Sequence, residues 1–447
     1  MAHQAYAIPW QTLADNFQYV HMNIRNHGIT NLYLRNKNPH QGKQPRYFVR
    51  GFTRALYNYS AIERKKYNTD PVALEMNEIV ISEDALKKMS KTIRQYKMGG
   101  GWIDRESSAN GVECPSNEIL SLYERSTGWF VNETSACEGD MHCLLQEICE
   151  QTKTMLLYGE MDALFQIAAH PNVHFLKLWD ENMYANSHGF GLSRLKESAL
   201  QAYICLNVMF LKPELYDMAS RKAFIEKETK EHRSTFEPEQ YDYRLTEAYQ
   251  HMLLYCTGVP YGARHYEVHT YPHREFFGIP RGMFQFMYDD SQFGRWQKRH
   301  LGTQRIHKLV DERFKGVYVP EKSDIPVVIA LMRKKGLPVK LTLIIIKMAE
   351  YMPVGRTIIR DDPLHTRNGE ELKKYLSFCW KILVRIEMLI KANGQWLDWE
   401  AEVTNTLYTL FGMNFPICSR MENVPGYQDE DWQPDFSWRH QRRVFIS

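Results

Sequence analysis

The clearest hydrophobic periodicity falls late in the chain, where Leu372, Tyr375, Leu376, Cys379, Leu383, Ile386 and Ile390 recur at three- and four-residue steps and Glu370, Lys373, Lys374, Lys381 and Lys391 take the other side. That pattern predicts an amphipathic helix from Gly369 to Ala392. Asn368 stands at its N-cap with Glu371 three residues on, as in a capping box, and Asn393-Gly394 supplies a left-handed stop. Upstream, Leu341, Ile344, Ile345 and Met348 form a one-sided apolar face, with Lys340 and Lys347 off its centre. Pro338 has φ preset for a first helical position and Pro353 forbids continuation, so a short helix is expected to start at Pro338. Its apolar face either docks a partner or closes the core.

Helical periodicity bounded by glycine or proline also predicts helices over Ser82–Tyr96, Asp140–Tyr158, Ser193–Leu211, Pro213–His232 and Pro238–Cys256. Leu32–Leu34 and Tyr47–Val49 are short apolar and aromatic segments. Met283–Tyr288 and Gly316–Val319 read as short strands, giving a small hairpin around residues 283–319. Gly99-Gly100-Gly101 cannot sit cheaply inside a helix and opens a linker or loop that runs through the polar residues to 117. The fold expected is mainly α, a multi-helix globular protein with a few short strands. Five regions follow: a mixed N-terminal part over 1–97, the linker over 98–117, a central helical domain over 118–322, a C-terminal helical segment over 323–420, and an aromatic and charged tail over 421–447.

Composition narrows the class. A chain of 447 residues with 44% hydrophobic and 13% aromatic residues can bury a substantial core. The net charge of +3 neither requires a polyanionic partner nor excludes one. No leader pattern opens the chain, and the apolar runs at 325–332 and 341–346 fall far short of the roughly twenty residues a membrane span needs. The expectation is an intracellular protein, cytoplasmic or nuclear, with no membrane partner. Its eight cysteines are sparse for the length and fit reduced thiols.

No catalytic motif is present: the phosphate-loop, dinucleotide, nucleophile-elbow and HExxH patterns are all missing. The chain is therefore expected not to be an enzyme and to need no cofactor. Cys137, His142, Cys143 and Cys149 supply soft ligands at spacings that do not match a structural zinc site. His265, His269 and His273 recur every fourth residue, and hydrogen-bonding roles suit them better than a metal. Arg295, Lys298, Arg299, Arg305 and Lys308 crowd around Trp296 and neighbouring rings, the mixture of cations and stacking faces that a single-stranded nucleic acid would use. Arg46, Arg50, Arg54, Arg64, Lys65 and Lys66 could extend such a surface.

The stretch LPVKLTLIIIKMAEYMP resembles the opening of an F-box, and the longer pattern with DDPLH and ELKKYLSFCW is similar to the C-terminal part of proteins from filamentous fungi. The resemblance covers about residues 337–394. It implies that Leu337, Pro338, Leu341, Ile345 and Ile346 pack internally or against a partner, a ubiquitin-ligase adaptor in the F-box case. Lys340 stands where F-boxes carry Glu, and Pro353 to Asn368 separate the first helix from Cys379-Trp380 by more than is usual there. The expected function is thus non-catalytic protein interaction through the 337–348 helix, with nucleic-acid binding around 293–315 as the alternative and the oligomeric state left open.

Overall fold

A computed structural model describes residues 5, 7–21, 29–34, 43–67, 74–98, 119–135, 142–179, 191–232, 237–258, 268–284, 288–289, 297–298, 301–302, 305–349, 351 and 355–412. The Gly99–Gly101 run, the rest of the linker to 117, and the tail from 421 fall outside these residues.

The protein is mainly α-helical, as the periodicity predicts. In chain order the helices are α1 (Trp10–Ala14), α2 (Lys43–Arg64), α3 (Glu83–Met98), α4 (Thr127–Ser135), α5 (His142–Tyr158), α6 (Met161–Ala169), α7 (Leu176–Trp179), α8 (Leu192–Phe210), α9 (Pro213–Tyr216), α10 (Met218–His232), α11 (Glu247–Thr257), α12 (Tyr271–Phe277), α13 (Asp324–Lys334), α14 (Val339–Met348), α15 (Gly369–Ala392) and α16 (Trp399–Phe411). Strands are few. β1 (Phe17–Val20) and β2 (Asn31–Leu34) pair antiparallel with Phe17 opposite Leu34, and the two-residue strands β3 (Tyr288–Asp289) and β4 (Gln297–Lys298) form a second pair. The hairpin expected around 283–319 is smaller than the sequence suggests. Phe284 makes a single bridge to Val310, and Gly316–Val319 carries no strand.

α15 is the central element. It packs on α8 and α2 and touches α5 and α6, while α16 closes over α2, α8 and α11. All seven residues of its predicted stripe are buried, and Trp380, Ile382, Val384, Met388 and Leu389 are buried too, so helices cover it on several sides. An aromatic cluster joins distant parts of the chain there. Trp10 packs on Phe48 (ring centroids 5.1 Å apart) and on Tyr203 (5.6 Å), and Trp380 packs on Phe52 (5.5 Å) and Tyr203 (5.3 Å). Residues from the N-terminal region, the central helices and α15 thus share one hydrophobic core.

Several boundaries follow capping chemistry. Ser82 Oγ accepts from the Ala85 amide at 3.2 Å and starts α3 where expected. The single helix expected over Pro213–His232 is two, because Asp217 leaves helical geometry (φ −90°, ψ 124°) and its carboxylate accepts the Ser220 amide at 2.8 Å to start α10. Likewise Pro238–Cys256 breaks into two 3-10 turns and α11, where the Asp242 and Thr246 side chains each accept a backbone N–H. Asn368 does not cap α15. Its amide donates to the carbonyls of Ile359 (2.8 Å) and Asp362 (2.6 Å) and its oxygen accepts from the Ile359 amide, so it holds the preceding loop instead. The left-handed stop is as expected, with Gly394 at φ 68°.

α2 is a helix where the sequence offers only the Tyr47–Val49 fragment. Phe48, Phe52, Leu56 and Ser60 recur every fourth residue on its buried face, and Gly51 lets the chain before α1 come close: a Cβ at residue 51 would stand 2.6 Å from Cδ of Pro9.

Candidate functional site

α13 and α14 form a helical hairpin, and neither makes an extensive contact with any other named element. Gly336 builds its turn. With φ at +86° it takes the left-handed position after α13, its amide bonds to the Arg333 carbonyl and that of Leu337 to Met332, both at 3.0 Å, and Pro338, extended at ψ 145°, is the N-cap of α14 and not the first helical residue that the sequence suggests. At the base, Asp324 accepts hydroxyl hydrogen bonds from Tyr318 and Tyr351 and the Glu321 amide, which hold its carboxyl below the usual range. Glu321 in turn lies 3.5 Å from Arg360. Among the described residues these contacts anchor the hairpin at its base.

The side chains on it are apolar and exposed. Leu341, Ile344 and Ile345, three of the four residues of the predicted face, are 50%, 44% and 40% exposed, and the fourth, Met348, is 79% exposed. Val327 and Leu331, one turn apart on α13, are also exposed. α14 turns Thr342, its one buried residue, away from solvent, and the Thr342 hydroxyl bonds to the Pro338 carbonyl at 3.2 Å. Of the other residues singled out from the sequence, Leu337 and Ile346 are half-buried and Pro338 is exposed. α14 is not a core helix. Between 322 and 349 there are six basic residues and one acid, Asp324, so the apolar surface is set in positive charge. Cys379 and Trp380, in contrast, are buried in the body of the protein.

The chain belongs to a known family. A family model described as "Gramillins biosynthetic cluster protein GRA5" matches residues 11–423, which take in the hairpin and every described helix except the first residue of α1. No curated protein and no solved structure matches the chain. The GRA5 match extends well beyond the residues that resemble an F-box, and it joins the hairpin to the helical body as one unit of sequence.

The basic and aromatic run of this GRA5-family chain is only partly described. Arg295, Trp296 and Arg299 lie outside the described residues, Lys298 is seen as backbone in β4, and Arg305 and Lys308 are exposed. Arg46, Arg50 and Arg54 form an exposed row along α2, four residues apart.

The candidate metal ligands do not converge. Among the described residues no group of His, Cys, Asp or Glu could hold a metal ion. Cys137 and His265 lie outside the described residues, and His142 and Cys143 are placed only as backbone of α5. Burial pushes the Cys149 thiol up to about 12, away from reactive thiolate character. His273 is fully buried, its Nδ1 2.5 Å from the Tyr375 hydroxyl, and burial brings its pKa down to about 3. His269 is buried beside it, its pKa lowered by burial and then by the charge of Lys153.

Sequence reasoning missed the buried ion pair nearby. Lys153 Nζ lies 2.8 Å from Glu150 Oε1, and the other Glu150 oxygen accepts the Val268 amide at 2.7 Å, which ties the turn carrying His269 to α5. The i, i+3 spacing was its signal, and the polar neighbours Gln151, Thr152 and Thr154 gave no hint that both charges are inside. No helix among the described residues is long and apolar enough to cross a membrane.

Proposed function

We propose that the chain is a non-catalytic protein-interaction protein that docks a partner through the α13–α14 hairpin. The observation that carries this reading is the exposure of Leu341, Ile344, Ile345 and Met348 on a helix whose one extensive contact among the described elements is with α13. Burying the exposed half of four such side chains contributes roughly 3–6 kcal/mol, enough to form the centre of an interface. The surrounding lysines and arginine favour a partner whose apolar groove has an acidic rim. A ubiquitin-ligase adaptor is the candidate that the F-box resemblance at Leu337, Pro338, Leu341, Ile345 and Ile346 names. Docking of that kind uses the α14 face and leaves Cys379 and Trp380 in the core. Since the family description refers to a biosynthetic cluster, proteins encoded beside this one are the other partners to test.

The experiment is affinity purification of the tagged chain from its native cells, with and without nuclease, beside a Leu341→Asp/Ile345→Asp variant. A protein partner that survives nuclease and is lost with the variant supports docking. Retention by the folded variant refutes it.

The second reading is binding to nucleic acid, favoured by the exposed row Arg46, Arg50 and Arg54 together with the cations Arg305 and Lys308. Affinity for a single strand should then fall steeply with salt. Binding that is absent or independent of salt removes it.

A further inference from the structure

A cleft of about 510 Å³ opens between α10, α11, the turns at 238–245 and the segment 277–284, with residues 305–310 and 360–361 at its rim. Leu253, Phe277, Met283 and Val310 line it with apolar surface, and four arginines reach it. They are not equivalent. Arg244 is engaged on all three nitrogens: its Nε and one terminal nitrogen bond to the Asp242 oxygens at 2.6–3.1 Å, and the other donates to the Asp361 carbonyl at 3.0 Å. Arg305 and Arg360 stand at the rim in long, solvent-reached pairs, 3.3 Å from Glu239 and 3.5 Å from Glu321.

Arg221 differs from all three. It is 7% exposed, one terminal nitrogen donates to the Leu215 carbonyl at 2.9 Å, its approach to Asp242 is only 3.8 Å, and its Nε meets no acceptor among the described residues. Asp242 is shared: Arg244 holds it at hydrogen-bond distance, and Arg221 reaches it only at 3.8 Å. A buried guanidinium with an unmet donor is unfavourable unless something supplies the acceptor. Strain marks the same place. Asp361, at the rim, is the one non-glycine residue with positive φ among those described (59°), held there by the Arg244 bond to its carbonyl.

The charged residues that line the cleft are four arginines against Glu239, Asp242 and Asp361, a net single positive charge, while Glu321 pairs with Arg360 from outside the lining. We infer that this cleft binds a small organic monocarboxylate with an apolar body, its carboxylate on Arg221 and its body against Leu253, Phe277 and Met283. A guanidinium fork matches a carboxylate in geometry, and the volume falls in the range of small-molecule sites. A single uncompensated charge fits a monoanion better than a phosphate dianion. The exposed face of α14 takes no part in this cleft, and the two meet only through Arg360, which also pairs with Glu321 at the hairpin's base.

The test is a set of monocarboxylates, octanoate, 4-phenylbutyrate and indole-3-acetate, each beside its neutral amide, measured by ligand-observed NMR and calorimetry on the full chain. At least one acid should bind with a Kd of about 1 mM or better, and its amide roughly tenfold more weakly. Arg221→Met, if folded by circular dichroism, should lose about tenfold, whereas Leu341→Asp/Ile345→Asp should lose nothing. Where Arg221→Met does not fold, the rim variant Arg305→Gln/Arg360→Gln decides, with weakening expected. The inference is overturned if no acid binds, if acid and amide bind alike, if the deciding arginine variant binds as the parent does, or if binding disappears with the hairpin variant.

Discussion

Leu341→Asp/Ile345→Asp separates a docking helix from a core helix by magnitude. Both residues are about half exposed on a hairpin that packs mainly on itself. Replacing them forfeits the buried half of two aliphatic side chains and some helix propensity, a cost of roughly 2–3 kcal/mol confined to the hairpin. Global melting should shift by only a few degrees. Leu376→Asp on α15 is the core control: Leu376 is wholly buried against the central helices, and an uncompensated carboxylate there should unfold the protein or cost more than about 5 kcal/mol. At an interface the hairpin pair of aspartates costs far more than in the free protein. The lost contact area and two carboxylates to desolvate total roughly 4 kcal/mol or more, about a thousandfold in Kd. A Leu341→Lys/Ile345→Lys variant loses the same area without repelling an acidic rim and should bind more tightly than the aspartate pair. Partner capture and thermal unfolding monitored by circular dichroism give both numbers. Global unfolding by the aspartate pair would refute the exposed geometry, and equal capture by parent and variant would refute docking.

Three further outcomes follow from the packing. Gly51→Ala should destabilise by about 1–3 kcal/mol in denaturant unfolding, because its Cβ would meet the Pro9 ring at 2.6 Å in a place where neither backbone can yield freely. An undiminished midpoint would show that Pro9 moves aside at no cost. For His273 the native pKa, about 3, lies below that of the unfolded chain, so the unfolded state binds the extra proton first. Its contribution is complete above pH 6.5 and is lost as pH falls toward 3, about 2 kcal/mol of it by pH 5. Urea titrations at pH 7 and 5 should show that loss in the parent and a smaller one in His273→Phe; identical pH dependence would remove His273 as the cause. Lys153→Met should cost roughly 3–5 kcal/mol at pH 7, since it leaves Glu150 charged and buried with the Val268 amide and the more distant charge of Arg281. Burial raises the Glu150 pKa, so this loss should shrink as pH falls and the carboxyl takes up a proton.

What could be read from the sequence depended on whether local chemistry or tertiary contact fixed each feature. The α15 stripe and its glycine stop, and the serine that starts α3, are written in residues that act on their own neighbours, and they fall where expected. The breaks at Asp217 and at Asp242 and Thr246 were equally local, but helical periodicity runs across them and masks the caps. Asn368 shows the opposite limit: its position suits a cap, and a loop nine residues upstream competes successfully for its amide. α2 was hidden because Gly51, which looks like a helix breaker, is required by Pro9, a residue forty-two positions away.

The hairpin is the hardest case, because an apolar face at helical spacing is the same pattern whether it meets the protein's own core or another molecule. Leu376 and Leu341 cannot be told apart by periodicity, yet one is sealed under α8 and α2 and the other is half in water. The difference lies in what the chain has left to cover the face. α15 is flanked by helices long enough to enclose it, whereas α13 and α14, of 11 and 10 residues, are joined by a tight turn and can bury only one side of each other. Exposing that much aliphatic surface opposes solubility, and basic residues at 333–335, 340 and 347 offset it in the free protein. The same charges then restrict which surface can cover the face. A second copy would bring its own six cations into contact with these, so like-charge repulsion disfavours self-association through the hairpin and favours an acidic partner.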